Sequence, residues 1–406
     1  MRILTFTSLF PNTLHPNSAV FIKNRMAAVN DLPGTEVRVV APVPWFPQII
    51  PGKGRWQRLA KVPHHEQLAG LDVQHPRYLV TPKVGMSLYG KSMFWGSAQT
   101  VQALYEQWPF ALIDAHYVYP DGLAAMLLGQ KLGVPVVVSA RGTDMNLYPS
   151  IRGITPLIER TLRQTSHQIA VSYSLAEAMW RCGAARDKVT VIPNGIDPKT
   201  MQQVDPGEAR RLLELDPGRR VLVSVGNLVN LKGHDLLIQA LGILKEKGNL
   251  KFSTYIIGRG SCKDRLQQQI DRLGLSDVVL LVGEVDNAKL KYWYSAADAS
   301  FLGSSREGWP NVVSESLACG TPVVATNVNG IPEILTSPAY GLIVNRSVDA
   351  FVAGLETAFA MAWNRELIAA HGQQRTWNSV AEEVVKVFHG VLESQREHAR
   401  NRRPQI

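Results

Sequence analysis

Residues 304–322 read Ser-Ser-Arg-Glu-Gly-Trp-Pro-Asn-Val-Val-Ser-Glu-Ser-Leu-Ala-Cys-Gly-Thr-Pro, with Glu307 and Glu315 eight positions apart. A buried strand candidate leads into this stretch, Gly308 and Pro310 mark a loop, and a helix starts near Asn311. Gly308 lets the backbone come close to a ligand, and Pro310 suits a helix start. The N–H groups of a first helical turn, with the helix dipole, make an anion site. Carboxylates are strong acceptors for sugar hydroxyls, since one group takes two hydrogen bonds. A helical rise over eight residues puts the two glutamates up to roughly 12 Å apart. That separation suits two sugar rings on either side of a pyrophosphate. Taken alone, the pair is also what a solvated helix with two unrelated glutamates would show.

A second group lies in the first half. Asp114-Ala115-His116-Tyr117-Val118-Tyr119-Pro120-Asp121-Gly122 falls where a strand ends and a helix begins, which is where α/β sheets bind ligands. A histidine there is either a ligand-facing group or a hydrogen-bonded core residue. Further on, Arg141 stands three residues before Asp144. Arg141 can pair with Asp144 or bind an acceptor or phosphate oxygen.

The 304–322 stretch resembles the signature of family 4 glycosyltransferases, Glu-x7-Glu within EGxPNVxxEAxAxGxPVVA. The likeness runs through Val221–Leu231 with Lys232-Gly233, Ile256-Ile257-Gly258-Arg259-Gly260, Gly283-Glu284-Val285, Tyr294–Asp298, Gly330-Ile331-Pro332-Glu333 and Gly341-Leu342. It implies the α/β GT-B fold: two Rossmann-like domains facing across a cleft, with a C-terminal helix at about 379–398 crossing back to the first. By this resemblance Glu307 holds hydroxyls of the donor sugar and Glu315 the nucleotide ribose. Lys232 meets the donor pyrophosphate, Gly308, Trp309, Pro310 and Asn311 surround the phosphate, and Gly258 and Val285 bracket the base. His116 matches the histidine that reaches the donor sugar from the other domain. Val191–Asp197 matches the family's domain junction.

Three departures stand out. The family's Gly-Arg-Leu is Gly226-Asn227-Leu228 here, so one phosphate-binding cation is missing; Arg259 either replaces part of it or is solvated. Arg141 occupies a position often held by histidine. The loop after the first strand, Asn12–Ser18, lacks the usual Gly-Gly pair, so a phosphate contact there falls to Ser18 or Asn17. The resemblance implies a retaining transfer from a nucleotide-sugar substrate to a glycan or lipid-linked acceptor in cell-surface polysaccharide synthesis. No Asp-x-Asp motif ends a strand, so no metal and no cofactor is expected, with Lys232 and backbone dipoles holding the diphosphate. Alternatives from other classes are a sugar-nucleotide epimerase or phosphorylase on the same fold, and a catalytically silent glycan-binding scaffold.

These groups need elements to hold them. The 406 residues exceed one ordinary core. Apolar runs alternate with helical patterns in both halves, which reads as doubly wound α/β. The first-half strands are expected at 3–8, 36–42, 110–117, 135–140, 168–172 and 189–192; the second-half strands at 221–225, 252–257, 278–282, 299–302 and 322–326. Residues 198–219, with two Asp-Pro-Gly turns, read as the linker. The expected domains are 1–200, plus a helix within 379–406, and 201–378.

Charge is uneven: 19 basic and 12 acidic residues up to 197, against 24 and 22 beyond. Segment 43–95 fits the alternation worst. It reads either as a long loop with core aromatics or as a basic surface edged by Trp45, Phe46, Trp56, Tyr78, Tyr89, Phe94 and Trp95 that meets an anionic membrane. Nucleic acid is not an expected partner, because no nucleic-acid motif accompanies the charge. Three widely spaced cysteines, no apolar run long enough to span a membrane and a strand-like start suggest a cytoplasmic protein, peripheral at the inner membrane face.

Overall fold

The structure, a computed structural model, describes residues 1–46, 55–81, 85–248 and 251–401. The chain divides into two compact units: Met1–Asn194 with the helix that starts at Trp377, and Gly195–Thr376. The sequence had put these divisions at 200/201 and 378/379.

The first unit opens β1 (Arg2–Phe6), α1 (Val20–Asn30), β2 (Glu36–Val40), β3 (Val43–Trp45), α2 (Arg55–Ala60), β4 (His65–Leu68), β5 (Leu71–Gln74) and β6 (Arg77–Leu79). It continues α3 (Tyr89–Gln107), β7 (Leu112–His116), α4 (Leu123–Leu132), β8 (Val136–Ala140), α5 (Thr143–Asn146), α6 (Thr155–Gln164), β9 (His167–Ala170), α7 (Tyr173–Arg181) and β10 (Val189–Val191). The main sheet is ordered β10-β9-β8-β7-β1-β2-β5-β4, parallel except where β4 turns back on β5. Strands β7 and β8 are buried along their whole length, as their apolar runs require of central parallel strands.

The second unit runs α8 (Pro206–Leu212), β11 (Arg220–Val225), α9 (His234–Lys247), β12 (Phe252–Ile257), α10 (Lys263–Arg272), β13 (Val279–Gly283) and α11 (Asn287–Ala296). Then follow β14 (Ala299–Leu302), α12 (Asn311–Ala318), β15 (Val323–Thr326), α13 (Ile331–Ile334), β16 (Gly341–Val344), α14 (Val348–Ala360) and α15 (Arg365–Gly372). Its parallel sheet is ordered β13-β12-β11-β14-β15-β16. The last helix, α16 (Trp377–Asn401), belongs to the first unit. Trp377, Val380, Ala381, Val384, Phe388 and Val391 recur at helical spacing, and they share one core with Ile22, Met26 and Val29 of α1.

Two expectations need correction. Residues 198–219 are not a plain linker. Asp205 accepts the Glu208 N–H at 2.8 Å, and Pro206 opens α8. The first Asp-Pro-Gly is thus a helix start, an N-cap followed by proline; only the second, at 216–218, is a turn. Segment 43–95 is not a long loop either. It supplies β5 and β4 to the main sheet, the parallel pair β3–β6, and the start of α3. Tyr78 is buried, while Trp45 and Trp95 are exposed. The side chains of Lys53, Arg55, Trp56 and Lys83 lie outside the described residues.

Candidate functional site

In the second unit, strand order reverses between β11 and β14, which are hydrogen-bonded neighbours. The loops leaving such a pair diverge and open a crevice. The loop after β11 carries Lys232 in a single tight turn, then Gly233 in the left-handed region, then α9. The loop after β14 carries Ser304–Pro310 into α12. The two loops are joined by the Ser305 N–H donating to Leu231 at 2.9 Å. A Cβ at Gly233 would overlap the Gly303 carbonyl, so glycine is required twice over, by space and by its φ of +70°.

This junction brings Lys232 and Glu307 together. Lys232 Nζ donates to Glu307 Oε1 at 2.5 Å, and Ser304 Oγ donates to the same oxygen at 2.6 Å. The Glu307 N–H donates to Asn329 Oδ1 at 3.0 Å. Helix α12 begins at Asn311 without any side-chain cap. Gly308 is buried, and Trp309 and Asn311 are half-buried beside this end. Because Glu307 precedes the helix by four residues, a helical rise across all eight positions does not describe the glutamate pair; only Asn311–Glu315 is helical.

Glu315 faces Tyr294 of α11, whose hydroxyl donates to Glu315 Oε2 at 3.3 Å. Burial of the carboxyl raises its pKa to about 7, and the tyrosine bond opposes the rise. At the ends of β11 and β12, Gly226 and Gly258 are packed backbone to backbone; a Cβ at Gly258 would overlap the Gly226 carbonyl. Val285 is half-buried at the edge of the core that contains Tyr294, as are Tyr255 and Trp293. Asn227 is exposed. The Arg259 side chain is exposed and pairs with Glu284 at 3.0 Å. His234 is buried, and burial with the nearby Lys232 charge lowers its pKa to about 4.

The first unit also reverses strand order beside its first strand, between β1 and β7. There the polar groups are enclosed. His116 Nε2 bonds Asp114 Oδ2 at 3.0 Å, and its Nδ1 receives Arg141 Nε–H at 3.2 Å and Nη2–H. Arg25 from α1 donates to Ser139 Oγ at 3.0 Å and lies 3.6 Å from Asp114 Oδ1. Arg141 Nη1 reaches Asn194 Oδ1 at 3.2 Å. Burial drives the His116 pKa down to about 3 against the pull of Asp114, so the imidazole is neutral. A neutral ring donating from Nε2 must accept at Nδ1, which is what Arg141 finds.

This arrangement corrects two expectations. Both ring nitrogens of His116 are taken within its own unit, so a ligand reaches one only by displacing Asp114 or Arg141. Arg141 does not pair its guanidinium with Asp144. Instead the Asp144 carboxylate accepts backbone N–H groups from Arg141, Gly142 and Val118 at 3.1, 2.8 and 2.9 Å. Ser18 donates its backbone N–H to His15 in the loop after β1. Ala19 next to it adopts φ +47°, the left-handed conformation that glycine takes without cost. Among the described residues, no group of three or more His, Cys, Asp or Glu stands ready to hold a metal ion.

Sequence reading passed over Arg25 and Asn329, and quoted Ser304 and Tyr294 within motifs without giving them a role. Arg25 could have been found, as a lone cation among the apolar positions 22, 26 and 29 of a helix. The contacts of Tyr294 and Asn329 join positions more than twenty residues apart and leave no local signal.

The two Rossmann-type parallel sheets are those of the GT-B glycosyltransferase fold. Residues 207–375 match the family model "Glycosyl transferases group 1", and residues 34–200 match "Glycosyltransferase Family 4". The chain belongs to this glycosyltransferase family. It is 27% identical to the putative teichuronic acid biosynthesis glycosyltransferase TuaC of Bacillus subtilis, over 87% of this chain and 88% of that one. It is 30% identical to a D-inositol 3-phosphate glycosyltransferase of Actinosynnema mirum, over 70% and 77%. Solved structures share the fold: sucrose-phosphate synthase of Thermosynechococcus elongatus (TM-score 0.77, 16% identity, 97% and 99% covered) and Anabaena HepE in complex with UDP (0.73, 19%, 96% and 100%).

Proposed function

We propose that the chain moves a sugar from a nucleotide-sugar donor to a glycan or lipid-linked acceptor in cell-surface polysaccharide synthesis, retaining anomeric configuration and using no metal. The observation that carries this is Lys232 held against Glu307 beside the uncapped start of α12. The donor diphosphate takes Lys232 and the first-turn N–H groups, where negative charge grows as the bond from C1 to the phosphate oxygen breaks. Glu307, released from the lysine, accepts hydroxyl hydrogen bonds from the sugar, and Glu315 accepts those of the ribose. The acceptor hydroxyl bonds C1 on the face the phosphate leaves, and its proton passes to the departing phosphate oxygen. UDP-sugars are the first donors to try, since HepE was solved with UDP-glucose, and the TuaC relative favours a polysaccharide acceptor.

A thermal-shift screen with UDP-, GDP- and ADP-hexoses identifies the donor. Transfer with that donor should persist in EDTA and fall about 10²-fold or more in Glu307→Ala, with folding intact. An unchanged rate in the variant removes the assignment. Release of a free epimer without acceptor would favour the epimerase alternative.

Membrane contact is part of the same reading. Trp45 and Leu79 are cross-strand neighbours on β3 and β6, and both are exposed, as are Leu88 and Trp95. Exposed Arg58, Lys61 and Lys91 lie in the same segment. Among the described residues no helix is long and apolar enough to cross a membrane. Flotation with anionic liposomes should carry the protein upward, and neutral liposomes should carry less. Equal, negligible recovery with both ends this part of the proposal.

A further inference from the structure

Glu307 sits in a loop, and a loop carboxylate needs something to hold it in place. Two contacts tie this loop to the end of β15 and the turn after it, and a third braces the loop within itself. Thr326 Oγ1 donates to the Ser304 carbonyl at 2.6 Å, Ser304 Oγ donates to Glu307 Oε1 at 2.6 Å, and the Glu307 N–H donates to Asn329 Oδ1 at 3.0 Å. Thr326 and Ser304 are fully buried, and Asn329 is half-buried. Asn329 itself adopts φ +46°, a left-handed conformation that asparagine tolerates better than most side chains.

The Lys232 contact and the Asn329 contact differ in kind. Lys232 holds the carboxylate, on the very oxygen that Ser304 also holds, and a diphosphate arriving at the site competes for that ammonium. Asn329 holds the backbone of Glu307, a contact that does not involve the Lys232 ammonium and is not broken when that ammonium turns away. When Lys232 turns to the diphosphate, the carboxylate loses its strongest partner, and what still fixes its position is Ser304 on the side chain and Asn329 on the main chain.

We propose that Asn329 is a positioning residue for the transfer reaction, its amide carbonyl anchoring the Glu307 backbone so that the carboxylate stays aimed at the donor sugar after Lys232 is drawn to the diphosphate. This rests on the reading of Glu307 as the donor-sugar acceptor. Asn329 touches neither sugar nor phosphate in this role. Its effect therefore falls on steps that need the sugar and spares those that need only the nucleotide.

Asn329→Gly is the informative variant, because glycine takes a φ of +46° without strain and removes the side-chain amide that accepts from Glu307. UDP, GDP and ADP serve as sugar-free probes, each beside UDP-glucose, GDP-mannose or ADP-glucose. Asn329→Gly should bind the preferred nucleoside diphosphate as the wild type does and turn over its sugar conjugate about tenfold more slowly. Added to Glu307→Ala, it should lower the rate no further. Amide hydrogen exchange reads the anchor without any ligand: protection of the Glu307 N–H should drop in Asn329→Gly and return in Asn329→Asp, which keeps an acceptor oxygen. An unchanged Glu307 amide, or equal losses for nucleotide and sugar nucleotide, overturns the proposal. If Glu307→Ala is crippled while Asn329→Gly is not, the positioning role alone fails. If Glu307→Ala turns over normally, the underlying reading of Glu307 fails.

Discussion

Each sheet reverses its strand order beside its first strand, and at each reversal a cation meets a carboxylate. In the first unit Arg25 and Asp114 are 1% and 0% exposed, and His116 is 0% exposed. In the second, the side chains of Lys232 and Glu307 are 16% and 11% exposed. The first cluster is enclosed by protein and links β7, β8 and α1 through Asp114, His116, Ser139, Arg141 and Arg25. The second keeps its charges near the surface, where a ligand can replace one protein partner with its own atoms. The same sheet geometry thus encloses its charges in one half and leaves them partly exposed in the other.

The sharpest way to break this contrast is to remove one charged side chain from each cluster. Asp114→Ala leaves Arg25 and Arg141 buried beside a neutral imidazole, and unfolding free energy should fall by about 3–5 kcal/mol. Lys232→Met, by contrast, should change stability by less than about 1 kcal/mol while abolishing most transfer. Denaturant melts of the two variants decide it; equal stabilities would erase the distinction.

The next effect concerns the open site alone. Glu315 has its pKa raised to about 7, and ribose hydroxyls donate best to the ionised form. Nucleotide binding then expels a proton, so affinity rises with pH through about 7. UDP should bind roughly tenfold more weakly at pH 6 than at pH 8. Calorimetry on Glu315→Gln should lose that part of the slope. A slope unchanged in the variant would assign it to the nucleotide's own phosphate.

The smallest effect probes the loop after β1. Ala19 carries a left-handed φ of +47°, which costs a residue with a Cβ about 1 kcal/mol. Ala19→Gly should raise stability by a few tenths to about 1 kcal/mol, read as a modest gain in Tm. A loss would mean the alanine side chain contributes packing that outweighs the strain.

What the sequence disclosed follows the same division. The alternating strands and helices were legible because buried parallel strands are mostly apolar, as in Val136–Ala140 and Val323–Thr326. Strand β4, His65–Leu68, was not, since an edge strand can be polar on both faces. β3 and β6 are three residues each, too short for any period to register. The donor-side glutamates were legible because they share one contiguous motif. Their supports were not: Asn329 and Tyr294 act across folds in the chain, and side-chain identity alone does not say which distant N–H or carboxylate they meet. His116 was found as a residue, but its state was set by Arg25 and Arg141, which arrive from α1 and from the end of β8.

The helix α16 gives the first unit two ends of the chain, and this sets an order of manufacture. A ribosome finishes β10 and then makes ~200 further residues before Asn401 emerges. At ordinary rates of synthesis that interval is roughly 10–40 s. Throughout it the apolar strip of α1, with Ile22, Met26 and Val29, has no Trp377, Val384 or Phe388 to cover it. The half of the enzyme translated first is therefore the half completed last.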